Sequence, residues 1–331
     1  METGVEEGNV VLLDVGSNGR RVVADFWFPG FAWPVYSPDG ELVAGYSRDA
    51  RTPTVIDVET GSEVATMLRA CETPRAIDRT NRWILVDGWC PEESQTAADS
   101  GSRTGFVDYS TGELVAGADT DEVFAAAIGP PDTLAADVVA YTTRNDVVFR
   151  RASTFELITK WPIPGDVITL TVDFSPDGSA IGVSSQARQG IVFDVAAILA
   201  GAHADDAVVV FPEMHTGPTH RVVPVGDSIF TTGANTQVRR WDAATGALLV
   251  DLSTKLGEFV HLFALPDGEV VFYADANGVL RRYLTDPDDL VALARSRVQR
   301  DFTEVECSRF FSDGDCPTLE PRPPIQTAIQ P

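Results

Sequence analysis

The residues of this sequence that could do chemistry are few, and their spacing brings little together. The four histidines His203, His215, His220 and His261 are scattered. His215 and His220, five apart in a loop between repeated segments, supply at most two ligands where a zinc site needs three or four. The four cysteines fall into two local pairs, Cys71 with Cys90 and Cys307 with Cys316. Neither pair has the Cys-x-x-Cys spacing of a metal site. Cys307 and Cys316 would close a short loop as a disulfide if oxidised; in a reducing compartment they are small buried hydrophobes. There is no Gly-x-Ser-x-Gly elbow, and neither Lys160 nor Lys255 sits in a Gly-rich phosphate loop. Asp275-Ala-Asn277-Gly278 and Asp313-Gly-Asp315 are short of the oxygens a calcium loop must gather, and Asn-Gly between two β-rich runs is a hairpin turn. The expectation is a protein with no catalytic residues, no metal and no cofactor.

Binding is the chemistry left open. Trp27, Phe28, Phe31 and Trp33 form an aromatic cluster, and Trp89 lies near the next repeated segment with Trp83. Such side chains either anchor a protein partner on a surface or fill the core between repeats. Residues 90–103 are a long polar segment between two β-rich runs, of the length that often carries function. The charge narrows the partner. Against 25 basic residues stand 49 acidic ones, a net charge of −24. That field repels phosphate backbones, so no nucleic-acid partner is expected. No run approaches a membrane span, and the acidic start lacks the basic and apolar regions of a signal peptide, so a soluble, cytoplasmic protein without membrane contact is expected.

The elements that must position these residues repeat. Tyr36-Ser37-Pro38-Asp39-Gly40, Phe174-Ser175-Pro176-Asp177-Gly178 and Ala264-Leu265-Pro266-Asp267-Gly268 are tight turns between β-rich runs. A second mark, an aspartate closing an apolar run before a Thr-Gly-type turn, appears at Asp14, Asp57, Asp108 and Asp242. Degenerate copies lie at Phe149–Thr154, at Phe193-Asp194-Val195 and near Asp286. These aspartates read as turn-holding acceptors. The marks recur about every 45 residues, with four short β-rich runs per unit.

In these turn marks, this period and the Trp241-Asp242 dipeptide, the sequence resembles the WD-repeat family over residues 8–285. It lacks the Gly-His pair that opens many family repeats; Gly201-Ala202-His203 follows a third strand rather than preceding a first. The resemblance implies an all-β, six- to seven-bladed β-propeller of four-stranded antiparallel blades. Two runs at residues 10–25 match the third and fourth strands of a blade, and three more lie at 260–283. With five full blades between, that makes 25 strands, one more than six blades need and three fewer than seven.

Beyond the repeats, residues 286–316 read as a short helical appendage and 317–331 as a Pro-rich disordered tail. Asp289-Leu-Val-Ala-Leu-Ala-Arg-Ser-Arg-Val, with Phe302–Cys307 and Cys316-Pro317, is similar to a tail that follows the WD repeats of actinobacterial signalling proteins. That resemblance implies the sensor half of such a system. The leading expectation is a non-catalytic scaffold that binds a protein; the alternative is a propeller enzyme or small-molecule binder with its site at the central funnel.

Overall fold

The computed structural model describes residues 8–16, 19–28, 34–47, 53–64, 72–88, 104–120, 122–163, 168–202, 208–211, 213–233, 237–251, 261–264, 270–274, 280–284, 289–293 and 303. Contacts divide the chain into two units, Met1–Arg282 and Tyr283–Pro331.

The first unit is built from repeated antiparallel sheets. The opening sheet contains β3 (Val35–Tyr36), β4 (Leu42–Ser47), β5 (Pro53–Asp57) and β6 (Glu63–Val64), paired in that order. The second runs β7 (Thr73–Asp78), β8 (Trp83–Asp87), β9 (Gly105–Asp108), β10 (Leu114–Gly117), and the third β11 (Ala125–Ile128), β12 (Val138–Thr142), β13 (Asp146–Arg151), β14 (Leu157–Pro162). The fourth is β15 (Thr169–Phe174), β16 (Ala180–Ser185), β17 (Gly190–Asp194) and β18 (Val208–Phe211), with a short helix α1 (Val195–Leu199) between its last two strands. The fifth is β19 (Thr219–Val225), β20 (Ser228–Gly233), β21 (Val238–Asp242) and β22 (Leu248–Asp251). A three-stranded sheet follows: β23 (His261–Ala264), β24 (Val270–Ala274) and β25 (Leu280–Leu284). The strands expected near residues 10–25 are β1 (Gly8–Gly16) and β2 (Gly19–Phe28). They form a long hairpin that joins the opening sheet, with Phe26 opposite Ser47 and Trp27 opposite Tyr46, rather than a sheet of their own.

Burial follows strand position. The second strands are buried along their length, as in β8, β12 and β20, and their sequences are correspondingly continuous apolar or small-residue runs. The fourth strands are largely exposed. First strands of successive sheets pack on one another, β3 on β7, then β11, β15, β19 and β23 in turn. Apolar side chains fill the layers between sheets. Val55, Ile77 and Ile84 pack between the first and second; Trp83, Phe106 and Tyr141 between the second and third; Phe149, Trp161 and Phe193 between the third and fourth. No sheet covers both of its own faces, so each is stabilised chiefly by its neighbours.

The turn marks behave as local chemistry dictates. Asp57 Oδ1 accepts from the Thr60 N–H and hydroxyl, Asp108 Oδ1 from the Ser110 and Thr111 N–H groups, and Asp242 Oδ1 from the Ala244 and Thr245 N–H groups. Bonding to the ionised form holds all three carboxyl groups below their usual range. Each turn ends on a left-handed glycine, Gly61, Gly112 or Gly246. Ser37 and Ser175 likewise close the Ser-Pro-Asp-Gly turns by accepting from Leu42 and Ala180.

Two degenerate marks do something else. In the third sheet the glycine's place is taken by Phe155, held at φ 60° while its N–H donates to Arg151 O, as Gly61 does to Asp57 O. In the fourth, Asp194 accepts from the Ala197 N–H and caps α1. In the second unit residues 289–293 are helical and their side chains exposed.

Candidate functional site

The end of the sheets at which first strands begin and second strands finish concentrates buried polar side chains. Thr73, Asp87, Thr142, Thr169, Ser184, Ser185, Thr219, Thr231 and Thr232 are all buried there. Three first strands carry a register shift at this end, between Pro74 and Ala76, between Thr169 and Val172, and between Thr219 and Arg221. One extra residue in a strand re-aims a side chain that would otherwise enter the sheet packing. The residues so displaced include Arg75, Thr171 and His220, at equivalent places in their sheets.

Each displaced residue is tied into a bonded group. Arg75 Nη2 donates to Asp87 Oδ2 at 2.8 Å. Asp87 also accepts from the Val123 backbone N–H, and its burial outweighs the Arg75 charge, so its carboxyl titrates above the usual range. Beside it Glu122 is paired with Arg144 at 3.0 Å, on the surface. In the fourth sheet Ser184 Oγ donates to His220 O at 3.0 Å, so the 3.0 Å contact with Thr171 has the threonine hydroxyl as donor. Arg221 grips Asp173 with two bonds of 2.9 and 2.6 Å, joining β19 to β15 across a sheet boundary. His220 is held below the usual imidazole range by burial.

Among the described residues, one arrangement has the form of a nucleophile and base: His215 with Thr231. Thr231 Oγ1 lies 2.8 Å from His215 Nε2 and accepts from the Trp241 indole N–H at 2.8 Å. Thr231 Oγ1 thus bridges the imidazole and the indole. His215 is 2% and Thr231 0% exposed. Burial and the Arg239 guanidinium lower the imidazole pKa to about 4, which keeps it neutral. A Cβ on Gly233 would lie 2.5 Å from the ring, so only glycine lets the imidazole seat there. The relay ties the segment before β19 to β20 and β21 and holds the fifth sheet in register.

In the sequence His215 and His220 read as loop polarity. The structure buries the first and places the second within β19. The usable signal was their company: a histidine ahead of a first strand, a threonine in the second and a tryptophan closing the third, all in one repeat. Of the expected partner-binding aromatics, Trp27 and Phe28 lie in β2, with side chains outside the described residues, as are Phe31, Trp33 and Trp89 altogether. Cys307 and Cys316, the expected disulfide, also lie outside them, as does the segment 90–103. Trp83 belongs to the core, its indole N–H donating to Ala152 O across the sheet boundary at 2.8 Å. Among the described residues no group of three or more His, Cys, Asp or Glu side chains could hold a metal ion, and no helix is long and apolar enough to cross a membrane.

No family model matches the sequence, and no curated protein matches it. The fold itself is matched. Hydrazine synthase of Kuenenia stuttgartiensis superposes with a TM-score of 0.58 at 13% identity, over 83% of this chain and 89% of that one. The architecture is all-β and of the β-propeller type. At 13% identity the likeness carries the arrangement of sheets and nothing about activity.

Proposed function

We propose that the chain is a non-catalytic protein-interaction scaffold or sensor module of WD-repeat type, working in the cytoplasm as part of a bacterial signalling protein. The observation that carries the reading is the use made of interior charge. Arg75–Asp87, Arg221–Asp173 and Arg150–Asp119 each pair a buried or half-buried group with its opposite, and the last two pairs join neighbouring sheets. Arg221–Asp173 and Arg150–Asp119 hold one sheet on the next, and Arg75–Asp87 holds β7 on β8 within its sheet. What they produce is a stiff platform whose loops and edges face outward.

The Trp241-Asp242 ending of β21, with its indole bonded to Thr231, supports the WD-repeat assignment. The net charge of −24 supports a protein partner rather than a nucleic acid. The similarity of residues 289–317 to the tail of actinobacterial signalling proteins supports the sensor role.

The test is affinity capture from an actinobacterial lysate, followed by titration of the purified partner against the intact chain. A stoichiometric complex with a partner protein is the expected result. Saturable stabilisation by a metabolite, with no stoichiometric protein partner, would transfer the chain to the small-molecule binders.

A further inference from the structure

The fourth strands carry exposed large apolar side chains at equivalent places in successive sheets: Leu114 and Val115 on β10, Leu157 on β14, Val209 and Val210 on β18, Leu248 and Leu249 on β22. Each is between 40% and 52% exposed. On β10, β18 and β22 two sequence neighbours are exposed together. Successive side chains of a strand point to opposite faces, so both faces of these strands stand clear of the packing. Among the described residues no strand pairs with their outer edges. A row of backbone N–H and C=O groups is therefore open on each, which is the template for an added strand.

The edges of β18 and β22 are bridged. Phe211, the last residue of β18, is buried, and its ring atoms lie 3.3 Å from where a Cβ on Gly246 would stand, in the turn that leads into β22. The exposed valines of one sheet and the exposed leucines of the next thus flank a single aromatic seam.

Charge selects among occupants. A second copy of this chain brings another −24, and the two fields repel. An acidic segment meets the same field. At β22 itself Asp251 is already paired with Arg239 at 3.1 Å and Asp242 Oδ1 is held in its turn, so the selecting charge is the net field of the chain, to which the exposed Glu213 after β18 contributes. We propose that β22 accepts an extended, cationic segment of a partner protein as an additional strand. Its apolar side chains would rest on Leu248 and Leu249, and its lysines or arginines would be drawn by the net negative field of the chain. The proposal rests on the scaffold reading and names its surface and partner class.

The probe is a fluorescein-labelled peptide of alternating valine and threonine flanked by lysine pairs, titrated against the full chain by anisotropy, with hydrogen exchange on the same mixtures. Binding should weaken as salt rises, and exchange should slow at residues 248–251. Leu249→Lys should weaken binding by about ten-fold, the loss expected when an exposed apolar contact is replaced by a repelling charge. Leu249 is half exposed, so the variant should keep the far-ultraviolet spectrum and unfolding midpoint of the parent. The proposal fails if the peptide does not bind, if a glutamate-flanked peptide binds as well, if protection appears elsewhere, or if Leu249→Lys leaves affinity unchanged. If a captured partner is held equally by the parent and by Leu249→Lys, the scaffold reading stands and this edge is the wrong surface. If no stoichiometric partner exists, the scaffold reading itself fails.

Discussion

Phe155 offers a test in which two small terms can be separated. It occupies the left-handed turn position that Gly61, Gly112 and Gly246 hold in other sheets, at φ 60°. Its ring packs against Phe106 at a centroid distance of 4.8 Å and Trp83 at 5.9 Å. Its carbonyl accepts from Arg150 Nη1, whose guanidinium also bonds Tyr141 Oη and Asp119. Truncating a fully buried phenylalanine to alanine costs about 3–5 kcal/mol, so a half-buried ring should be worth about 2 kcal/mol. The left-handed backbone costs a non-glycine residue about 1–2 kcal/mol, while glycine loses about 0.5–1 kcal/mol more backbone entropy than alanine on folding. Phe155→Ala should therefore lose about 2 kcal/mol, and Phe155→Gly should be more stable than Phe155→Ala by about 0.5–1 kcal/mol. Denaturant unfolding of the three proteins measures both differences. If the alanine variant equals or exceeds the glycine variant, the turn is not held left-handed. If the alanine variant matches the parent, the ring is no wedge between sheets.

Three further outcomes follow from other seams. The His215 pKa lies near 4 in the folded chain and at its ordinary 6.5 when unfolded, so the unfolded chain binds the proton first. Its share of stability is whole above pH 6.5 and lost as pH falls towards 4, by an amount on the order of 3 kcal/mol; unfolding followed by pH should show that slope, and His215→Gln should flatten it. Arg221→Met alone strands Asp173 at the boundary between fourth and fifth sheets and should cost about 3 kcal/mol, whereas Arg221→Met with Asp173→Leu should recover most of it, as read by the unfolding midpoint. A double-mutant cycle of Trp241→Phe and Thr231→Val should give a coupling of about 1 kcal/mol, and a coupling of zero would mean that the indole bond to Thr231 holds nothing together.

The parts of this fold that were legible in the sequence are those written in local chemistry. An aspartate that accepts from N–H groups two and three residues ahead needs no tertiary partner, so Asp57, Asp108 and Asp242 announce their turns wherever they occur. The apolar runs of β8, β12 and β20 are continuous because both faces of a second strand are covered, and that too is visible without coordinates. What was illegible depends on residues far apart in the chain. Nothing in Phe149–Thr154 indicates that the next residue will enter the neighbouring sheet beside Trp83, and nothing in Phe193-Asp194-Val195 shows that the aspartate has become a helix cap. The register shifts that re-aim Arg75, Thr171 and His220 are equally hidden, because a single extra residue leaves the alternation of a short strand almost unchanged. The candidate site is made of such features, whereas the aromatics that the sequence offers for a partner, Trp27 and Phe28, lie in β2 with side chains outside the described residues.

The degenerate repeats therefore mean more than the regular ones. A turn that keeps Asp-x-x-Thr-Gly is self-sufficient and carries no information about its neighbours. A turn that abandons the pattern must be held by something else, and in the third sheet that is the Phe155 ring and the Arg150 guanidinium reaching towards the second sheet. Loss of the repeat signature at one mark, with an aromatic or arginine in its place, thus marks a seam where one sheet is fastened to another. By the same reasoning a lesion at Phe155 should loosen the boundary between the second and third sheets and leave the turns at Asp57 and Asp242 intact. Hydrogen exchange can resolve this by peptide: in Phe155→Ala, exchange should rise in 83–87 and 105–108 before it rises in 238–242. A uniform rise across all sheets would show instead that the stacked sheets open as one unit and that the degenerate mark has no special place among them.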